Sequence, residues 1–352
     1  MTSGGKVMNL AGMEKEKNDR SITLRKLHST VFCQVFSPCG KYLITGDNFG
    51  TLAVLSLQSA LAADATDSSW RPVYTFKAHK GAIYTLASTS KFLISGGTDN
   101  IQGWHWSDVT NTNEKKAKVA WALTIPKNNK FDFPETNSIA LDIQDWGTKL
   151  YAGCGNNKVH CWDLESGTET LQLSGHSEYV HSVKLRSNGQ ECVSGSEDGT
   201  VRIWDSRTGT EVGLIEPYKN DQCARPHIGK WVGCLAVDPA EDWMICGGGP
   251  HLSLWHLRSL CLMTCYELPN TVHQDVLLYE DTVISGGNES QVYHWSTNGE
   301  LRSKVPCTPS SVFSIAVNTN SNTNKVLSVG GNCHKVDICV NFQYKSFSMD
   351  II

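Results

Sequence analysis

No apolar run in the chain approaches the roughly 20 residues that a membrane-spanning helix needs, so no helical membrane anchor is expected. No CxxC pair occurs among the 13 cysteines. Cys261 and Cys265 come nearest, and no second Cys/His pair stands at zinc-site spacing, so no metal is expected. An odd number of cysteines spread along the chain is not a disulfide framework, and a reducing compartment keeps such thiols free. Cys192 and Cys234 lie inside apolar runs and read as small core residues. There is no glycine-rich phosphate loop, HExxH, GxSxG or paired-carboxylate constellation, which argues against a cofactor, a small-molecule substrate or an enzyme. The run Gly247-Gly-Gly-Pro250 reads as a turn between strands, since no helix follows it to supply a phosphate-binding N-terminus. Charge is sparse too. Charged residues make up 19% against 40% hydrophobic, and the net charge of -4 gives no field that would by itself draw in nucleic acid or an acidic membrane. Residues 1–20 mix Lys, Glu, Asn and Asp without the apolar stretch of a signal peptide. The expectation is a disordered tail over 1–21, one domain over 22–352, and an intracellular protein.

What the chain does have is repetition. The clearest unit runs from Gly175-His176 through an alternating stretch, 179–185, to Glu191-Cys-Val-Ser-Gly-Ser-Glu-Asp-Gly-Thr-Val-Arg-Ile-Trp204-Asp205, the GH…WD signature of a four-stranded propeller blade. With Trp204 as anchor, Ser194-Gly-Ser precedes it by ten residues. Ser285-Gly-Gly stands at the same distance before Trp295, and Ala152-Gly-Cys before Trp162. Cys246-Gly-Gly leads to Trp255 and Ser95-Gly-Gly to Trp104, while Thr45-Gly-Asp leads to Leu55 and Ser328-Val-Gly-Gly to Cys339. Seven anchors therefore fall at 55, 104, 162, 204, 255, 295 and 339. Period-2 alternation inside each unit predicts strands, and a ring of blades gives each small sheet two neighbours to pack on. The fold predicted is all-β, a seven-bladed WD40 β-propeller.

In blade 4 the pattern places His176, Ser196, Asp198 and Trp204 in a structural hydrogen-bonded tetrad, because a buried indole N–H and imidazole need partners. The Ser precedes the Asp in a tight strand turn at tetrad spacing, which argues against a catalytic role. Blades 1 and 7 lack the Trp and a clear Asp turn and are expected to rely on apolar packing. Two segments compete to finish the last blade: 22–27, with Leu24 and Leu27 at helical spacing, and 342–349, which alternates and follows a short turn. The C-terminal segment is the better candidate because its closure entropy is smaller.

Function in a propeller sits in its loops, and three insertions break the spacing. Residues 58–71 fall between the third and fourth strands of blade 1. Residues 107–137 carry Lys115, Lys116, Lys118, Lys127 and Lys130 around an outer strand, and read as a solvated loop because Glu114 and Asp132 interrupt the run. Residues 217–231 join blade 4 to blade 5. Tyr218, Arg225, His227, Lys230 and Trp231 there form a basic and aromatic set of the kind that anchors interfaces. The alternative for Trp231 is packing of the loop onto blade 5.

Further stretches are more specific than the repeat. Lys26-Leu-His28, Phe36-Ser-Pro-Cys-Gly-Lys41, Ala224-Arg-Pro-His-Ile-Gly-Lys-Trp-Val-Gly-Cys-Leu235, Asp242-Trp-Met-Ile-Cys-Gly-Gly-Gly-Pro250 and Leu254-Trp-His-Leu-Arg258 resemble the subunit 6 family of the THO complex. The resemblance covers nearly the whole chain after about residue 22. It implies a nuclear scaffold within the THO/TREX mRNA-export assembly, in nuclear speckles. It also implies docking on coiled-coil THO subunits 5 and 7, with RNA contacted at most indirectly. A rival feature is Trp204-Asp-Ser-Arg207, which fits the WDxR pattern by which some WD40 proteins dock through the Arg, here Arg207, on the adaptor of a cullin-4 ubiquitin ligase. An Arg at that place can equally fork onto a nearby carboxylate.

Overall fold

Each of the seven anchors lies in the third strand of a four-stranded antiparallel sheet, from Leu55 in Thr51–Ser56 to Cys339 in Lys335–Cys339. These are the strands of a computed structural model that describes residues 10–111, 117–126, 136–141, 148–186, 189–238, 242–321 and 323–352, with backbone only for 10–18, Ser138, Ala140 and Leu141. Blade 4 shows the common plan, with Val180–Leu185 innermost, then Glu191–Ser196, Val201–Asp205 and Glu211–Ile215 on the outside. The innermost strands pack side by side around a central channel, and Val312–Val317 of blade 7 returns to Val31–Phe36 of blade 1. The architecture is the predicted seven-bladed WD40 β-propeller.

The glycine of each repeated motif is where one blade admits the next. A Cβ on Gly195, in the second strand of blade 4, would stand 2.8 Å from Val232, the first residue of blade 5's innermost strand. Gly46, Gly96, Gly153, Gly247 and Gly286 face Ile83, Thr136, Val180, His273 and Val312 in the same way, and Gly330 faces Val31 at 2.8 Å to complete the circle. A residue larger than glycine would push each adjoining blade outward.

The first residue of each innermost strand is thus wedged into the previous blade, and the register to the second strand skips the residue that follows it. The skipped residues are Phe32, Tyr84, Asn137, His181, Gly233, Gln274 and Phe313. Such bulges re-aim a side chain, and here all seven positions line one mouth of the channel.

Blade 7 is finished by the chain's own C-terminus. Phe347–Asp350 pairs with Lys335–Cys339, with Val336 opposite Met349. The N-terminal segment instead forms a helix, Leu10–His28, so the tail expected over 1–21 is helical from Leu10 onward. Residues 1–9 lie outside the described residues. The helix ends in Arg25, Lys26 and His28, which suit the negative end of its dipole. Arg25 bonds Thr51 at 2.8 Å and pairs with Asp47, while Lys26 pairs with Asp350 at 2.6 Å.

With no strand shared across the junction, blades 7 and 1 are held by packing, side-chain bonds and a backbone bond. Met349 and Ile351 bury themselves with Leu55, Leu57 and Ala60. The first insertion serves the same junction, since Trp70 stacks on Phe347 at 5.7 Å and its carbonyl accepts from the Asp350 N–H at 2.9 Å. The Gln34 amide donates to the carbonyls of Ser314 and Ser328 at 2.8 and 3.1 Å.

Blades 1 and 7 do not rely on apolar packing in place of polar bonds, contrary to expectation. Asp47 accepts from the N–H groups of Phe49 and Thr51, and the fully buried Asp337 accepts from Thr308 and Ser348. The Asp of blade 1 opens its turn rather than closing it, and Asp337 lies in the third strand. Neither stands at the position that the blade 4 pattern marks.

Deleting 344–352 should abolish cooperative unfolding, because it removes the outer strand of blade 7 together with Met349 and Ile351 of the junction core. Gly330→Ala should lower stability by about 1–3 kcal/mol through overpacking against Val31. Chemical denaturation followed by circular dichroism checks both.

Candidate partner-docking face

In blade 4 the Trp204 indole N–H donates to Ser194 Oγ at 2.8 Å, and Ser194 Oγ lies 2.8 Å from His176 Nε2. His176 Nδ1 lies 2.9 Å from Asp198. The indole can only donate to the serine, and in the tautomer that donates Nδ1–H to the carboxylate, Nε2 accepts from the serine hydroxyl. Burial works to raise the Asp198 carboxyl, but the hydrogen bonds from His176 and Thr200 outweigh it and hold the group well below the usual carboxylate range.

The serine is Ser194 and not Ser196, which corrects the expectation. Ser194 and Ser196 share a face of the strand, but Ser196 sits at its end. There it bonds the Glu178 carbonyl at 3.1 Å and caps the Asp198 N–H at 3.2 Å. The Ser–His–Asp composition resembles a hydrolase triad, yet the serine is fully buried and committed to the tryptophan. The arrangement ties the turn at Asp198 to the strands of Ser194 and Trp204.

Blade 2 carries a second tetrad that the sequence pattern left unassigned, with Ser95 between Trp104 and His79 at 3.0 and 2.8 Å, and Asp99 at 3.4 Å from His79. The signal was in the anchor spacing, because the residue about ten before the tryptophan is the serine that receives the indole. Ser285 does so for Trp295 at 3.1 Å. In blade 5, where that place is Cys246, Ser253 takes over at 2.9 Å.

The 217–231 insertion divides into a buried and an exposed part. Arg225, expected to face a partner, is 3% exposed. Its guanidinium donates to the carbonyls of Gly249 (2.9 Å), Gly248 (3.1 Å), Pro250 (3.0 Å), Leu268 (3.3 Å) and Thr271 (2.8 Å). It is a clamp between blades 5 and 6, and the Gly-Gly-Gly-Pro turn provides its receptor. A Cβ on Gly249 would stand 2.5 Å from the Gly229 carbonyl carbon, so the turn and the insertion can meet only without one. Burial, then the Arg225 and His251 charges, push His273 down to about 3, which leaves it neutral.

The exposed part holds the rest of the expected set. His227 and Lys230 are exposed, and Tyr218 and Trp231 half-buried. Lys219 and Lys230 stand over the Tyr218 ring at 5.7 and 5.9 Å. Trp231 covers Gly229 and reaches the channel mouth. It thus packs its own loop and also lines a cavity of about 450 Å³ with Phe32, Tyr84 and Phe313. Phe32 lies 5.5 Å from Tyr84 and 5.6 Å from Phe313, an aromatic arc on one side of the mouth.

The N-terminal helix lies at the same end of the ring, since it leads directly into the first residue of blade 1's innermost strand. Its polar side holds the propeller, and Ile22, Leu24 and Leu27 are left 41%, 57% and 74% exposed.

Arg207 is exposed and forks onto Asp205, Nη2 at 3.1 Å and Nε at 3.4 Å. Of the lysines of the second insertion, Lys115, Lys116, Lys127 and Lys130 lie outside the described residues. Among the described residues no group of three or more His, Cys, Asp or Glu could hold a metal ion, and no helix is long and apolar enough to cross a membrane.

The WD domain, G-beta repeat family matches residues 70–101 and 167–205. Those stretches hold the histidine, serine and aspartate of the two tetrads, which is where the polar signature survives. Over nearly the whole chain, the protein is 40% identical to THO complex subunit 6 of Homo sapiens, covering 93% of this chain and 94% of that one. Identity to THO complex subunit 6 homolog of Danio rerio is also 40%, over 92% and 98% of the two chains. The Drosophila melanogaster THO complex subunit 6 is 32% identical over 91% and 89%. The chain belongs to the THO complex subunit 6 family.

For this THO complex subunit 6 family member, the geometry separates what holds the ring from what can meet a partner. His176→Ala should take away the acceptor of the Ser194 hydroxyl and one donor to Asp198, and cost about 1–3 kcal/mol. A depressed carboxyl contributes stability above its unfolded value of roughly 4, and that stability is lost as pH falls below it. The Asp198→Asn variant should therefore lose less stability than the parent on acidification from pH 5 to 3, measured by urea midpoints. Arg225→Ala should cost about 3 kcal/mol or more, because it strands buried carbonyls. Thermal melting distinguishes that cost from the near-neutral change expected at exposed His227 and Lys230.

Proposed function

We propose that the chain is a non-catalytic scaffold of the nuclear THO/TREX assembly that helps couple transcription and splicing to mRNA export. In this reading it docks the coiled-coil THO subunits 5 and 7, resides in nuclear speckles and meets RNA at most indirectly. What carries the reading is the end-to-end similarity to THO complex subunit 6 proteins of vertebrates and an insect. What supports the helical partner is the exposed Ile22, Leu24 and Leu27 of the N-terminal helix, at the same end of the ring as the basic and aromatic 217–231 loop. A rigid surface with apolar and cationic side chains suits an amphipathic helix. The docking set is Tyr218, His227, Lys230 and Trp231, without Arg225, whose donors are already engaged.

The rival reading rests on Arg207, whose side chain is 71% exposed. Its fork onto Asp205 serves the local turn, and an adaptor would compete with that pairing.

Co-purification from nuclear extract tests both. Replacing His227, Lys230 and Trp231 by Ala, with Leu24→Ser and Leu27→Ser, should leave melting within a few degrees of the parent. It should reduce recovery of THO subunits 5 and 7 by about tenfold. Undiminished recovery would place the docking surface elsewhere on the ring. A dominant cullin-4 adaptor partner, lost on Arg207→Ala, would replace the export-scaffold reading.

A further inference from the structure

Turns within a blade, from first to second strand and from third to fourth, emerge at the end of the ring opposite the 217–231 loop. At that end the apolar core between blades 5 and 6 is open. Leu254 is buried in this core, with Trp243 and Leu278 packed against it. Beyond them a cavity of about 460 Å³ leads outward, and Met263 stands at it 53% exposed. That volume falls in the range of roughly 300–1,000 Å³ in which side chains and small ligands bind.

The rim has one sign of charge in excess. Asp238 comes from the end of blade 5's innermost strand. Glu280 and Asp281 form the first turn of blade 6, where Glu280 adopts a left-handed φ of 52°. Lys325 of blade 7 reaches Glu280 at 3.5 Å and Arg302 bonds Thr282 beside Asp281 at 3.3 Å, so among the described residues three carboxylates line the rim and two cations stand at its edge. Neutral polar groups, Thr264, Thr297 and Asn298, complete the wall.

An apolar floor wants a bulky side chain, and an acidic rim repels an acidic flank and attracts a basic one. We propose that this groove between blades 5 and 6 is a docking site for a short extended segment of a partner protein, in which a bulky apolar residue is flanked by lysine or arginine. The site lies away from the 217–231 face and does not depend on which complex the chain joins there.

Fluorescence anisotropy on the full chain tests it with three labelled hexapeptides: Arg-Lys-Leu-Phe-Lys-Arg, Glu-Asp-Leu-Phe-Asp-Glu and Arg-Lys-Gly-Ser-Lys-Arg. The first should bind at least about tenfold more tightly than either of the others, and more weakly as salt rises. Its affinity should fall about fivefold or more both in Met263→Ser and in the double variant Glu280→Lys with Asp281→Lys. These residues are exposed or half-exposed at the groove, so melting should be unchanged, and circular dichroism checks this. Equal binding of the three peptides would overturn the proposal, as would no binding of the first. So would affinity for the first peptide that survives either variant.

Discussion

The ring rests on one close approach repeated seven times, a β-branched residue of one blade (His273 in blade 6) seated on a glycine of the blade before it. Packing in a protein interior responds to a single methylene, so the absence of a Cβ at Gly195 or Gly330 sets the distance between neighbouring sheets. It also places the following residue of each innermost strand. Because the wedge fixes the first residue, the bulge after it turns Phe32, Tyr84, His181 and Phe313 into the channel mouth. A packing constraint thus determines what the mouth of the channel presents.

Polar groups inside the ring do the finer positioning. The tetrads of blades 2 and 4 tie turn to strand through a chain that begins at an indole and ends at a carboxylate. Arg225 does the same between blades, with carbonyls in place of a carboxylate. A buried guanidinium satisfied by backbone oxygens is an economical way to hold a long loop, because one side chain engages two separate turns. Burial keeps the neighbouring His273 neutral, and the Arg225 charge adds to that effect.

Much of this was legible from residues alone. The seven anchors fall in seven third strands, and the short turn before Phe347 identified the strand that completes blade 7. What escaped was depth and burial. Alternation tells which face Ser194 and Ser196 share but not how far an indole on the adjoining strand reaches, and so the wrong serine was assigned. Arg225 sits among Lys, His and Trp in a polar loop and reads as surface. Only the folding of the Gly-Gly-Gly-Pro turn against it, from a separate stretch of chain, takes it inside. Of the helix Leu10–His28 only the helical spacing of Leu24 and Leu27 was legible, since the carboxylates that hold its last turn, Asp47 and Asp350, come from blade 1 and the C-terminal strand.

The junction of blades 7 and 1 sets a timetable for synthesis. Gln34 finds its acceptors at Ser314 and Ser328, and Lys26 finds Asp350, near the far end of the chain. At roughly 5–20 residues per second, translation separates these partners by about a quarter of a minute to a minute. Throughout that interval the flank of blade 1 waits with its apolar side chains uncovered, while later blades stack onto its other side. A nascent chain of this design is an open arc with two adhesive ends. Its exposure to chaperones, and to the nascent ends of neighbouring ribosomes, lasts until the final strand is released.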